Sequence, residues 1–185
     1  MNVIFLDFDG VIFTTHRDSM KDVEKRICIL SEMCHKYNAN IVISSTFKDA
    51  VDPDTLEIDK ESIVYKVVKL FDKYNIKFVG VTPRVIKRIS DSSYIPSWKE
   101  DEIISYLESH PEVEHFCVID DEVHSWQYNG EYDLDKLLDY LVVPIYTSSN
   151  HDEEGLLPKH IEEVGNILKK ENKFKFNNKS NEKTR

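Results

Sequence analysis

Five short, almost continuously apolar runs recur along the chain: Val3 to Leu6, Ile41 to Ile43, Ile76 to Val81, Phe116 to Ile119 and Val142 to Tyr146. Runs of this length without polar alternation are what strands covered on both faces require, so each predicts a buried strand. Between them the period changes. Val23, Ile27, Leu30, Cys34 and Tyr37 fall at helical spacing in the first interval, and Ile63, Val67, Leu70, Phe71 and Tyr74 in the second. Ser97-Trp98-Lys99-Glu100 has the S-x-x-E form of a capping box, which predicts Ser97 as N-cap, Lys99 in the first turn, and Ile103, Tyr106 and Leu107 as the buried stripe. Leu134, Leu137, Leu138 and Leu141 predict a further helix, and Pro158 opens a last one through Ile161, Val164 and Leu168. Pro144 has no N–H to give a ladder, which assigns the fifth strand to the sheet edge.

Strands alternating with helices, joined by right-handed crossovers, predict an α/β fold: a Rossmann-like three-layer sandwich around a five-stranded parallel sheet. The 185 residues suffice for one such domain, expected over residues 1–170, and no linker or repeat divides it. Beyond Lys170 the composition turns to Lys, Asn and Ser, and residues 171–185 are expected to form a basic, flexible tail. The chain's net charge of −10 argues against a general polyanion binder. Three cysteines without C-x-x-C spacing suggest reduced thiols. With no signal-like start and no apolar run long enough to span a bilayer, a cytoplasmic protein without membrane contact is expected.

Ligand sites in such sheets lie beyond the carboxyl ends of the strands. The first strand ends in Asp7-Phe8-Asp9-Gly10, the second in Ser44-Ser45-Thr46 and the fourth in Asp120-Asp121, while Lys99 begins the helix that feeds the fourth strand. One rim thus receives four carboxylates, hydroxyls and an ammonium. Carboxylates gathered in this way repel one another unless a cation intervenes, and hard oxygen donors favour Mg²⁺. Each fragment alone has an ordinary explanation: a turn, a helix cap, a solvated lysine. Their joint placement at equivalent sheet positions points to a site.

The run Val-Ile-Phe-Leu-Asp7-Phe-Asp9-Gly10-Val resembles the first motif of the haloacid dehalogenase (HAD) superfamily. Ile-Val-Ile-Ser44 is similar to the second motif, Lys99 to the third, and Val-Ile-Asp120-Asp121 to the paired-acid fourth, in the family's order over roughly residues 1–157. A narrower resemblance is to the HAD domain of Swiss Army Knife RNA repair proteins. Ser44-Ser45-Thr46-Phe47-Lys48 is similar to its Ser-Ser-x-Trp-Arg, Gly80-Val81-Thr82-Pro83 to its Gly-x-Thr-Pro, Lys99-x-x-Glu102-Ile103 to its Arg-Gly-x-Glu-Ile, and Gly155-Leu156-Leu157 to a Gly-Leu-Thr. Phe47 and Lys48 stand where that group has Trp and Arg, and Glu100 where Gly is usual.

The resemblance implies a phosphatase, and the residues can support that chemistry. Asp7 is the candidate nucleophile, forming an aspartyl-phosphate, and Asp9 the general acid and then base. Mg²⁺ would be held by Asp7, Asp9 through its carbonyl, and one or both of Asp120 and Asp121. Ser44, or failing it Ser45, would donate to a phosphoryl oxygen, and Lys99 would pair with that group and with Asp7. Gly10, Ser45 and Lys48 are candidate substrate contacts. The intervals after Asp9 and after Ser44 are too short for a lid domain, so minimal or no cap is expected. Only Thr82 to Pro96, with Arg84, Lys87 and Arg88, remains as an accessory segment. An open site suits a large phosphorylated substrate, an RNA or DNA end among them. A metal-dependent nuclease and a phospho-accepting switch are the alternatives. His110, His115 and Cys117 fit surface and core positions better than a zinc site. Trp98 and Trp126 are candidates for the rim, whereas Phe174 and Phe176 are assigned to the tail.

Overall fold

Val3, Ile4, Phe5 and Leu6 are each fully buried, as a strand with both faces covered requires, and they form β1 (Asn2–Leu6). The computed structural model describes residues 1–14, 18–90, 93–96, 99–121, 135–145 and 154–174. In it β1 is flanked by β2 (Ala39–Ile43) and, further along the chain, β6 (His115–Ile119). β3 (Phe78–Val81) lies outside β2, and β7 (Leu141–Val142) outside β6. The order β3-β2-β1-β6-β7, with every pairing parallel, is that of a Rossmann-like α/β sheet, as the alternation of periods predicts.

The helices begin and end where local chemistry permits. Ser19 and Asp22 form a reciprocal capping box at the start of α1 (Met20–Tyr37), and Asn38 closes it in the left-handed conformation at φ 49°. Ser62 accepts the Tyr65 N–H at the start of α2 (Ile63–Lys73). α3 (Lys99–Ser109) precedes β6, and its predicted cap Ser97, with Trp98, lies outside the described residues. A short helix, α4 (Asp135–Leu138), precedes β7, and α5 (His160–Ile167) follows.

Register pairs Val3 with Phe116 and Phe5 with Val118, so these residues share one face of the sheet. There Phe5 meets Tyr106 of α3 edge-on at 5.4 Å, while Phe116 stacks on Tyr140 at 4.3 Å.

Several boundaries differ from the expected ones. Ile76 is not part of β3: its N–H bonds to Phe71 O at 2.9 Å and closes the end of α2. The edge strand is only Leu141–Val142, which takes Leu141 out of the predicted helix. Ile145 instead makes an isolated antiparallel bridge to Gly155, and Tyr146 and Leu134 lie outside the described residues. Pro158 lies two residues before α5 because the chain first makes a tight turn, with His160 N–H to Leu157 O at 3.0 Å. The accessory segment contains a hairpin, β4 (Ile86–Ser90) with β5 (Ser93–Pro96), separate from the main sheet. Packing continues past 171: Asn172 is buried and donates to Val113 O at 3.0 Å, and Phe174 lies against Phe116 and Tyr140. Phe174 therefore belongs to the packed body, not to an expected tail beginning at 171, and Phe176 lies outside the described residues. Among the described residues no helix is long and apolar enough to cross a membrane.

Candidate active site

Asp7, Ser44, Thr82 and Asp120 are each the first residue beyond a strand, and each N–H extends the parallel ladder by one bond. Asp7 donates to Ile119 O (3.0 Å), Ser44 to Leu6 O (2.9 Å), Thr82 to Ile43 O (3.0 Å) and Asp120 to Val142 O (3.1 Å). Four polar residues distant in sequence thus stand in one row at the carboxyl edge of the sheet, held by main-chain bonds that do not depend on their side chains.

Lys99, the first residue of α3, bridges two members of that row. Its Nζ donates to Asp7 Oδ2 at 2.6 Å and to Asp120 Oδ2 at 2.7 Å. Burial by itself would lower the ammonium's pKa, but the carboxylates of Asp120 and Asp7 outweigh it and hold the group above its ordinary value. A cation at a helix N-terminus opposes the helix dipole, and Glu100, Asp101 and Glu102 in the same turn offset it. Asp121 completes the cluster: one carboxylate oxygen each from Asp7, Asp120 and Asp121 lies within 4.8 Å of the other two. Such hard oxygen donors fit a divalent cation of the Mg²⁺ type.

The turn after β1 brings Asp9 and Gly10 into place. Phe8 O accepts the N–H groups of Ile12 and Phe13 at 2.8 Å, and Gly10 N–H donates to Phe13 O at 2.7 Å. Gly10 has φ +66°, and a Cβ there would meet Asp121 Cγ at 2.0 Å. Its observable part is steric: it lets the first and fourth strand ends come together. Asp9 is exposed, outside the three-carboxylate group, whereas Asp7 is buried and its Oδ1 accepts the Phe8 N–H at 2.8 Å.

Ser44 and Ser45, alternatives in the sequence, differ here. Ser45 Oγ accepts the Phe47 N–H at 3.4 Å and caps the 3₁₀ helix Thr46–Ala50. Ser44 Oγ is buried and has no hydrogen-bond partner among the described residues, which leaves it available to an incoming acceptor.

The family model for the HAD domain in Swiss Army Knife RNA repair proteins matches residues 3–138. The chain belongs to this family. No curated protein and no solved structure matches it. Membership points to hydrolase chemistry of the phosphatase type.

One expected substrate contact of the HAD domain is placed elsewhere. Lys48 is buried, pairs with Glu102 and donates to Thr82 Oγ1 at 3.0 Å; with its ammonium so engaged, it is not presented to a ligand. Burial pulls that ammonium below its ordinary pKa against the opposing effect of Glu102. Arg84 of the accessory segment pairs with Asp49, with Nε to Oδ1 at 2.9 Å. His110 Nδ1 lies 2.8 Å from Tyr106 O, His115 Nδ1 lies 2.8 Å from Lys170 O, and Cys117 is buried; among the described residues the three are not gathered into one ligand group. Trp98 and Trp126 lie outside the described residues.

Two residues were not named for the site from the sequence, although Thr82 stands in the Gly-x-Thr-Pro motif. Thr82 occupies the same first-beyond-the-strand position as Ser44, a rule that would have found it. Arg26, buried on α1, donates to Ile12 O (3.0 Å) and Thr14 Oγ1 (2.8 Å) and pairs with Asp18, pinning the far end of the Asp9–Gly10 turn. Its signal was a basic residue beside the apolar stripe of Val23, Ile27 and Leu30.

Proposed function

We propose that this HAD domain is a Mg²⁺-dependent phosphomonoester hydrolase that works through an aspartyl-phosphate on Asp7. The observation that carries this reading is the Lys99 ammonium held between Asp7 and Asp120, with Asp121 close by.

Asp7, Asp120 and Asp121 would hold the metal, with the Asp9 carbonyl as a further ligand. Bound there, Mg²⁺ offsets negative charge where a phosphate meets carboxylates. A carboxylate oxygen of Asp7 attacks phosphorus, a new P–O bond forms and the bond to the ester oxygen breaks. Asp9, exposed on the rim, gives its proton to the departing alkoxide. Water then attacks the phosphorus of the aspartyl-phosphate, Asp9 takes back a proton, and inorganic phosphate leaves with Asp7 regenerated. Ser44 Oγ donates to a phosphoryl oxygen, and Lys99 balances the charge of Asp7 and of the transferring group. An exposed Asp9 suits a large substrate, and the family's association with RNA repair proteins favours a phosphorylated nucleic-acid end.

Purified protein with Mg²⁺ should release phosphate from p-nitrophenyl phosphate, and from 3′- or 5′-phosphorylated RNA in preference to small phosphorylated metabolites. Cleavage of internal phosphodiesters, undiminished in Asp7→Asn, would instead identify a nuclease.

A further inference from the structure

Lys48, Thr82 and Glu102 come from three segments and meet in one buried cluster at the ends of β2 and β3. Lys48 lies in the 3₁₀ helix that begins just after Ser44 and Ser45, and its N–H bonds to Ser45 O at 3.1 Å. Thr82 is anchored to the sheet by its N–H and accepts from Lys48 Nζ at 3.0 Å. Glu102 is in the first turn of α3, three residues after Lys99, and pairs with the Lys48 ammonium. Lys48 and Glu102 are only 4% and 7% exposed.

A buried ion pair is a poor way to gain stability, because well-packed apolar side chains of similar volume usually serve as well or better. What it supplies is direction: the two charges meet in one geometry, whereas apolar groups tolerate several. Here the geometry it selects is that of α3 against the ends of β2 and β3. Residues at i and i+3 sit on neighbouring parts of a helix surface, so fixing Glu102 fixes the rotation of α3 that aims Lys99 at Asp7 and Asp120.

We infer that the Lys48–Glu102 pair, braced by Thr82, consists of positioning residues that set the orientation of Lys99 and the course of the Ser44–Ser45 turn. This deepens the hydrolase reading and rests on it for its kinetic consequences. It makes neither Lys48 nor Glu102 a catalytic residue, since both act through Lys99 and Ser44.

The test replaces the pair by apolar residues, Lys48→Met with Glu102→Leu, so that no lone charge is left buried. Glu102→Gln, nearly the same shape, is a second variant should the first not fold. The readouts are the side-chain ammonium NMR signal of Lys99, assigned by its loss in Lys99→Arg, and kcat against KM for p-nitrophenyl phosphate. In folded variants the Lys99 signal should shift or broaden. kcat should fall by about tenfold or more while KM stays within about twofold. Lys48→Arg, which keeps a donor to Glu102, should retain both the signal and kcat. An unchanged Lys99 signal, or an unchanged kcat in a folded variant, overturns the inference, because a purely structural pair moves neither. If the unsubstituted protein releases no phosphate, the hydrolase reading fails, whereas the NMR comparison still decides whether the pair positions Lys99.

Discussion

Gly10 lies against the carboxylate of Asp121 so closely that a Cβ at position 10 would come within 2.0 Å of Asp121 Cγ. The turn after β1 and the turn after β6 therefore share one volume, and the left-handed φ of +66° reinforces the demand for glycine. Gly10→Ala should push Asp121 out of the carboxylate group. The Mg²⁺ concentration for half-maximal activity should rise by about tenfold or more, as when the supports of metal ligands are removed. A Mg²⁺ titration unchanged from the unsubstituted protein would show that Asp121 contributes nothing to metal affinity.

Ser44 should trade stability against activity. Its buried hydroxyl lacks a partner among the described residues, so Ser44→Ala removes a polar group that gains nothing in the resting protein. Denaturant unfolding should show equal or greater stability, by up to about 1 kcal/mol. The same variant should lose about tenfold or more in kcat/KM, because the hydroxyl is needed only when a phosphoryl oxygen arrives. A loss of stability with activity preserved would reverse the assignment.

Asp9→Asn should discriminate between leaving groups. An alkyl phosphate needs a proton on its departing oxygen and should slow by about 10²-fold, while p-nitrophenyl phosphate, whose leaving group is already acidic, should slow much less. Equal losses on both esters would remove Asp9 from the proton-transfer role.

Lys99 predicts a pH dependence of stability. Burial disfavours its charge, yet Asp120 and Asp7 hold its pKa above the ordinary 10.5, so the folded state binds this proton more tightly than the unfolded chain. That stabilisation is complete below pH 10.5 and is lost as pH rises through the folded-state value. In metal-free buffer Lys99→Met should be less stable than the unsubstituted protein by a gap that is constant from neutral pH to about pH 10 and narrows above it. A gap that widens with rising pH would contradict the pairing.

The row of strand ends was legible because parallel strands covered on both faces leave a plain record: apolar runs that stop at Asp7, Ser44 and Asp120. Main-chain ladder bonds then place those residues whatever their side chains, so predicting the strands predicted the row. The edge strand left a weaker record. Among the described residues only Leu141 and Val142 pair with β6, and Ile145, beyond Pro144, bridges instead to Gly155. The β4–β5 hairpin carries no Asn-Gly or Asp-Gly turn to announce it. Lys48 was misplaced because a lysine's sequence neighbours do not reveal burial; its partner Glu102 lies on another element, 54 residues away. Arg26 was missed for the same reason, since its carbonyl and hydroxyl acceptors belong to the turn that it braces.

Phosphorylation of Asp7 is the step on which the proposed mechanism depends. Its most direct test is to mix the protein with Mg²⁺ and a phosphomonoester, quench in acid within the first turnovers, and map the peptides by mass spectrometry. One added phosphoryl group on the N-terminal peptide, assigned to Asp7, labile to hydroxylamine and missing in Asp7→Asn, is the predicted result. Turnover that proceeds with no phosphoryl group on that peptide, or with one on another residue, would contradict the account.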